Sequence, residues 1–267
     1  VVRGGARLGR GRAAWIRAGD PQDDYRQSMA DFERALELNP DCVEAAINRG
    51  AVLLSWGQRD QQQGTDPSPR YRAAQAAYDA ILLKHPDLIE ARRARANGGR
   101  CLGDWEARNG DPRPAYRRAI EDLDAVLAKS PNYISAALDR ALLHDALAQA
   151  DLARGADPRD SCRRAIADYT TALAHPTAEV FNNRGNMRRI LAELDKTPAL
   201  FESALSDFDE ALRLNDRHWL FHANRGLALA RLERWDEAIR AYDRSLELEP
   251  GSPQVESLRR AAVDRRN

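Results

Sequence analysis

Cysteine is nearly absent from this 267-residue chain. Cys42, Cys101 and Cys162 are an odd number, far apart, with no C-x-x-C pair. They argue against a disulfide framework and suit free, buried thiols in a reducing, cytoplasmic compartment. Net charge is absent too: 41 basic and 41 acidic residues cancel. That removes the usual electrostatic case for a nucleic-acid or membrane surface. No apolar run approaches the roughly 18 residues that a membrane-spanning helix needs. The start, "VVRGGARLGRGRAAWIR", has no hydrophobic signal region. Lysine occurs only at Lys84, Lys129 and Lys196, an arginine bias that speaks of codons and not of function. No G-x-S-x-G, P-loop or paired-carboxylate motif occurs, so neither an enzyme nor a cofactor is expected.

What is present is repetition. Residues 19–40 read "GDPQDDYRQSMADFERALELNP", 65–86 "TDPSPRYRAAQAAYDAILLKHP", 110–131 "GDPRPAYRRAIEDLDAVLAKSP" and 156–176 "ADPRDSCRRAIADYTTALAHP". Looser copies stand at 197–215 and 234–250. A period on this scale sets the fold before any site is considered. Each copy opens on Tyr25, Tyr71, Tyr116, Cys162, Phe201 or Trp235. Counted from that residue, apolar side chains recur at +3, +4, +7, +10 and +11, as in Ala119, Ile120, Leu123, Val126 and Leu127. This is the one-sided stripe of an α-helix, here helix B, and not the alternation of a strand.

Asp20, Asp66, Asp111 and Asp157 each precede a proline, an N-cap followed by a residue already set for the first turn. Pro40, Pro86, Pro131, Pro176 and Pro250 mark where helix B must stop. Between proline and next Asp-Pro lies helix A, where "NRGAVLL" (48–54), "LDRALLH" (138–144), "NRGNMRR" (183–189) and "NRGLALA" (224–230) are equivalent. The spacing predicts units at about 1–40, 41–86, 87–131, 132–176, 177–216 and 217–250, then a solvating C-terminal helix at 252–266. The first four are lengthened to about 45 residues. Shared between two antiparallel helices, the extra residues predict roughly one and a half added turns, about 8 Å, on each. Arg3-Gly4 aligns with Arg49-Gly50, so the chain is expected to begin inside a repeat, and 1–17 to be its least ordered segment.

The last unit, "HWLFHANRGLALARLERWDEAIRAYDRSLELEP", resembles the tetratricopeptide repeat. Gly226, Ala228, Trp235, Ala238, Tyr242, Leu246 and Pro250 stand where that family places small, aromatic, apolar and proline residues. The arginine before Gly226 and His222, where the family often has Trp, are departures. The resemblance implies one array over 1–267: an all-α, right-handed α-solenoid of about six antiparallel helix pairs with a C-terminal capping helix. It further implies a non-catalytic protein–protein interaction scaffold that takes a peptide or protein in its concave groove. Two other readings stand beside it. One is the regulatory or substrate-recruiting region of a larger multidomain enzyme, such as a bacterial signalling kinase. The other is a helical-repeat RNA binder, which neutral charge and few groove-facing aromatics disfavour.

The family's peptide contacts lie near the fifth, ninth and twelfth positions of helix A. Carried over, these are Arg93, Asn97 and Arg100 in the third A helix, and Asn182, Asn186 and Arg189 in the fifth. Such donors suit a partner with acidic or C-terminal carboxylate groups. Co-chaperone members clamp a terminal carboxylate with lysines and asparagines; Asn97 and Asn186 match, but the lysines are missing. A second constellation is Arg3, Arg49, Arg95, Arg140, Arg184 and Arg225, one position in six A helices. It could be an anion track. Yet every B helix carries an acid at +6 or +8, among them Asp122, Asp168, Asp207 and Asp209. Structural pairing, for instance of Arg140 and Arg184 with acids such as Asp122 or Asp168, is therefore expected. "GRGRAA" (9–14) matches a dinucleotide fingerprint but has no strand before it. His218 and His222 lack a third ligand and are expected to pack beside Trp219 and Phe221. Cys162 stands at an aromatic core position, so a buried thiol is expected there and not a nucleophile.

Overall fold

The computed structural model describes residues 22–266. Among them are twelve α-helices and no strand, and none is long and apolar enough to cross a membrane. The expectations for 1–17, Arg3, Asp20 and the 9–14 fingerprint lie outside the described residues. The chain divides into two compact units, Val1–Asn132 and Tyr133–Asn267, and each is described by itself.

The first unit holds α1 (Gln22–Leu38), α2 (Val43–Gln62), α3 (Ser68–Lys84), α4 (Ile89–Asn109) and α5 (Arg113–Lys129). Each helix packs on the next, and α2 also touches α4. The second holds α6 (Ile134–Ala153), α7 (Arg159–Ala172), α8 (Ala178–Asp195), α9 (Pro198–Leu214), α10 (Trp219–Arg231), α11 (Trp235–Leu248) and α12 (Pro253–Arg266). Sequence neighbours again pair; α8 also meets α10, and α10 meets α12.

The stripe accounts for this packing. On α5, Tyr116, Ala119, Ile120, Leu123, Val126 and Leu127 are all buried, each large side chain contributing roughly 1.5–3 kcal/mol. Close approach of the two helices of a pair depends on what helix A offers the residue that opens helix B. A Cβ on Gly57 would lie 2.5 Å from the Tyr71 ring, and one on Gly103 2.3 Å from the Tyr116 ring. At the equivalent place in the second unit stands Ala148, and the residue opposite is Cys162; both are fully buried in one cluster. The methyl present on one helix is matched by a smaller side chain on the other.

Helix starts follow the Asp-Pro signal. Asp66, Asp111 and Asp157 each accept a hydrogen bond through Oδ1 from the backbone N–H two residues on, at 2.9, 3.1 and 3.0 Å. The prolines sit just before the first helical residue and not in it, a one-residue difference of the kind helix ends show. Helices α1, α3, α5 and α11 stop two residues before Pro40, Pro86, Pro131 and Pro250. The lengthening departs from expectation. The long A helices span 20, 21 and 20 residues against 13 for α10, whereas B helices span 17 or 14 against 14 for α11. Helix A takes about two extra turns and helix B less than one. Asp-Pro explains the asymmetry, because a proline at the B start stops that helix from growing backwards.

Candidate partner-binding surface

The arginine ladder is structural. Arg95 on α4 donates from Nε and Nη2 to the two carboxylate oxygens of Asp122 on α5, at 2.8 and 2.5 Å. From Nη1 it donates to Asp79 on α3, at 2.6 Å. Asp122 is the +6 residue of the B helix that follows; Asp79 is the +8 residue of the one before. Arg140 makes the first contact with Asp168, at 2.8 and 2.7 Å. Arg184 makes both: with Asp207 at 2.6 Å, and with Thr170, which occupies +8, at 3.2 Å. Arg225 makes only the second, to Asp209 at 2.6 Å, because its following B helix has Ala241 at +6. Arg259 on the terminal helix α12 extends the series by pairing with Asp243, the +8 residue of α11. Asp122, Asp168 and Asp207 are 2, 5 and 2 % exposed. Such carboxylates are tolerable only where a guanidinium meets them with good geometry. The hydrogen bonds to Asp122, then to Asp79, hold the Arg95 guanidinium even more firmly protonated than usual.

On α4, Asn97 is exposed and Arg93 half-buried. Arg100 donates to Asn97 Oδ1 (3.2 Å) and to Asp104 Oδ2 (3.0 Å), and Asp104 Oδ1 accepts from the Tyr116 hydroxyl (2.9 Å). The Arg100 and Asp104 side chains remain 40 and 43 % exposed. On α8 the same grouping recurs. Arg189 donates to Asn186 Oδ1 and to Glu193 Oε1, both at 2.8 Å, and Glu193 also accepts from Arg231 on α10 at 3.2 Å. The two triads stand at the same three positions after their ladder arginines, Arg95 and Arg184. They belong to different units, so each is a cluster in its own right.

Asn182 departs from the role expected of it. It is buried, its Oδ1 accepts from Asn224 Nδ2 on α10 at 2.8 Å, and its amide donates to Asn183 at 3.2 Å. Forty-two residues separate Asn182 from Asn224, and nothing local announces that pairing. The acids Asp104 and Glu193, by contrast, are legible in the sequence: each follows its arginine by four, the spacing that pairs side chains along a helix.

The remaining motifs resolve as packing. The His218 ring stacks on Phe221 at 4.3 Å, and His222 Nε2 lies 2.9 Å from the Asp216 carbonyl. Burial pushes the Cys162 thiol up to about 12, far from the thiolate a nucleophile needs.

Antiparallel helix pairs, repeated in sequence and joined by an apolar stripe and arginine staples, define an α-solenoid repeat protein. Two family models described as tetratricopeptide repeat match the chain, over residues 200–253 and 18–42. Those two stretches are thus similar to tetratricopeptide repeats, and the helix pairs between them follow the same plan. Among solved structures it resembles YrrB, described as a TPR protein with an unusual peptide-binding site. That match has 16% identity and a TM-score of 0.59, and covers 86% of this chain and 97% of that one. A fragment of MamA from Desulfovibrio magneticus matches at 16% identity and a TM-score of 0.54, covering 76% of this chain and 97% of that one. At such identities the likeness is one of fold. No curated protein matches the chain in sequence.

Proposed function

We propose that this chain is a non-catalytic scaffold that binds a peptide or protein through the polar faces of its A helices. Arg93, Asn97 and Arg100 on α4, and Asn186 and Arg189 on α8, supply the contacts; Asn182 shapes the α8–α10 pair behind them. The observation that carries the reading is the recurrence of the Asn–Arg–acid triad at matched positions of two A helices, outside the apolar stripe and the ladder. Surface ion pairs such as Arg100–Asp104 stabilise a fold little, so their arginines exchange an internal carboxylate for a partner's at small cost. A partner with acidic or C-terminal carboxylate groups fits these donors. The free buried thiols Cys101 and Cys162 suit a cytoplasmic setting.

The test captures partners on immobilised wild type and on the double variant Arg93→Glu/Arg100→Glu, with circular dichroism to check folding. A folded variant that loses its partners at least tenfold supports the reading. A folded variant that captures the same partners rejects it.

A further inference from the structure

The ladder is broken at Arg49. Arg49 sits on α2 where Arg95 sits on α4, yet among the described residues it makes no hydrogen bond or ion pair. The +6 residue that follows it on α3 is Ala77, in place of the acid found at Asp122, Asp168 and Asp207. The preceding +8 residue, Glu33 on α1, is exposed and likewise unbonded. Ala241 leaves the same gap beside Arg225, but that arginine takes Asp209 instead.

At this break the first unit has a pocket of about 210 Å³. Arg49 and Ala77 both line it, with Leu36, Val43, Ala46 and Ile81 as apolar wall. Lys84 and Asp41 stand at the same pocket but pair with each other at 2.7 Å, as Lys129 and Asp87 do one repeat later at 2.5 Å. His85 also lines the pocket. The unmatched charge is therefore the guanidinium of Arg49, above a floor where a carboxylate is missing. We infer that this pocket binds a carboxylate on a short aliphatic body, which takes the place the ladder's own aspartate holds in the other repeats. The guanidinium binds the carboxylate by charge-assisted hydrogen bonds, and the body covers the apolar wall. A free branched-chain acid and the C-terminal residue of a peptide both present this chemistry. The site lies within the first unit and is independent of the A-helix face proposed above.

The probe is isovalerate, titrated into the full chain and followed by the NMR signal of the arginine Nε–H groups, with isovaleramide as the neutral control. Saturable binding is expected, with Kd on the order of millimolar for so small a ligand, and none for the amide. Arg49→Met should weaken it at least tenfold. A77D supplies the missing acid from within, so it should abolish binding while the fold persists; should A77D not fold, Arg49→Met carries the test. Acetyl-Gly-Val with a free C-terminus, against its amide, separates the sources: tighter binding of the free peptide than of isovalerate assigns the site to a chain end, and weaker binding to a free acid. Absence of saturation by both isovalerate and the free peptide, or equal binding by wild type, Arg49→Met and a folded A77D, overturns the inference.

Discussion

The α2–α3 and α4–α5 pairs of the first unit are built to one plan and differ in charge at the buried +6 position. Around Arg95 the +6 residue is Asp122, and the guanidinium is held on both sides. Around Arg49 it is Ala77, and a pocket stands where the ion pair would be. Most of the apolar stripe is kept, with Gln75 replacing Ile120 at +4: Tyr71, Ala74, Tyr78 and Ile81 are as buried as their counterparts Tyr116, Ala119, Leu123 and Val126. The stripe thus makes the helix pair, while the ladder adds a charge contact that one repeat can lack and still fold. Absence of an acid and loss of an acid's partner should then differ sharply in effect.

Breaking a filled rung from the arginine side gives the largest effect. Arg140→Met leaves buried Asp168 without the guanidinium that meets both its oxygens, which should cost about 3–5 kcal/mol in urea unfolding. Asp122→Ala gives the Arg95 repeat the pattern of the Arg225 repeat, alanine at +6 with the +8 contact kept. Its cost should be smaller, about 1–3 kcal/mol, because Arg95 keeps Asp79. Arg225→Met removes a contact to an aspartate whose side chain is 52 % exposed, and should change stability by less than about 1 kcal/mol. Equal losses in the three variants would show that burial of the carboxylate does not set the energetics.

The size match between helices A and B sharpens the same contrast. Cys162→Tyr should lose about 1–3 kcal/mol, because the Ala148 methyl stands where the tyrosine-bearing pairs have glycine. Adding Ala148→Gly should return much of it, with a coupling on the order of 1 kcal/mol in a double-mutant cycle. Additive losses would mean the two positions do not answer each other.

These contrasts also show what could be read from sequence. Stripe, caps, stops and the partners of Arg140 and Arg184 follow from spacing along one helix or between neighbours, so period alone placed them. Uneven lengthening escaped, because the period counts residues per unit and not how a turn divides them. Asn182 escaped because its partner lies 42 residues away on α10. The unpaired Arg49 was legible in principle: the +6 residues run Asp31, Ala77, Asp122, Asp168, Asp207, Ala241. Reading +6 and +8 as alternatives, and not as two separate contacts, hid it.

A charge in the triad column separates the two units by pH. Asp145 on α6 holds the position that is Arg100 on α4 and Arg189 on α8. Burial raises its carboxyl from 3.8 to about 6, against hydrogen bonds from Gln149 and the Tyr169 hydroxyl that favour the charged form. A raised folded pKa means the native state binds the proton more tightly than the unfolded chain. Stability should therefore fall as pH rises from about 4 to about 6, and stay lower above it. Full enclosure would make this about 3 kcal/mol; partial exposure of Asp145 reduces it to about 1–2 kcal/mol. Asp145→Asn should remove that slope and raise stability at pH 8, measured by urea unfolding across the range. A slope that persists in the variant would place its origin elsewhere.

The smallest effect concerns the helix starts, where Asp-Pro repeats can be set against the one Thr-Pro repeat. Asp111 caps α5 by accepting from the Arg113 N–H, so Asp111→Ala should cost about 0.5–1 kcal/mol. Before α9, Thr197 makes no cap contact; its hydroxyl donates to the Asp195 carbonyl instead. Thr197→Ala should therefore lose less than Asp111→Ala in the same thermal melts. The caps also carry a pH signature opposite to that of Asp145. The backbone N–H of Ser68 holds the Asp66 carboxyl below its ordinary range, and that of Arg159 does the same for Asp157. A depressed folded pKa stabilises the fold above the unfolded value and loses that stabilisation as pH falls through the folded one. Acidification should therefore erode the Asp-Pro starts and leave the Thr-Pro start of α9 unchanged. Amide hydrogen exchange would read this as faster exchange at Ser68 and Arg159, relative to α9, below the ordinary aspartate range once the intrinsic pH dependence is removed. Uniform change across the three starts would show that the aspartate side chain is not what holds these helices open to the chain before them.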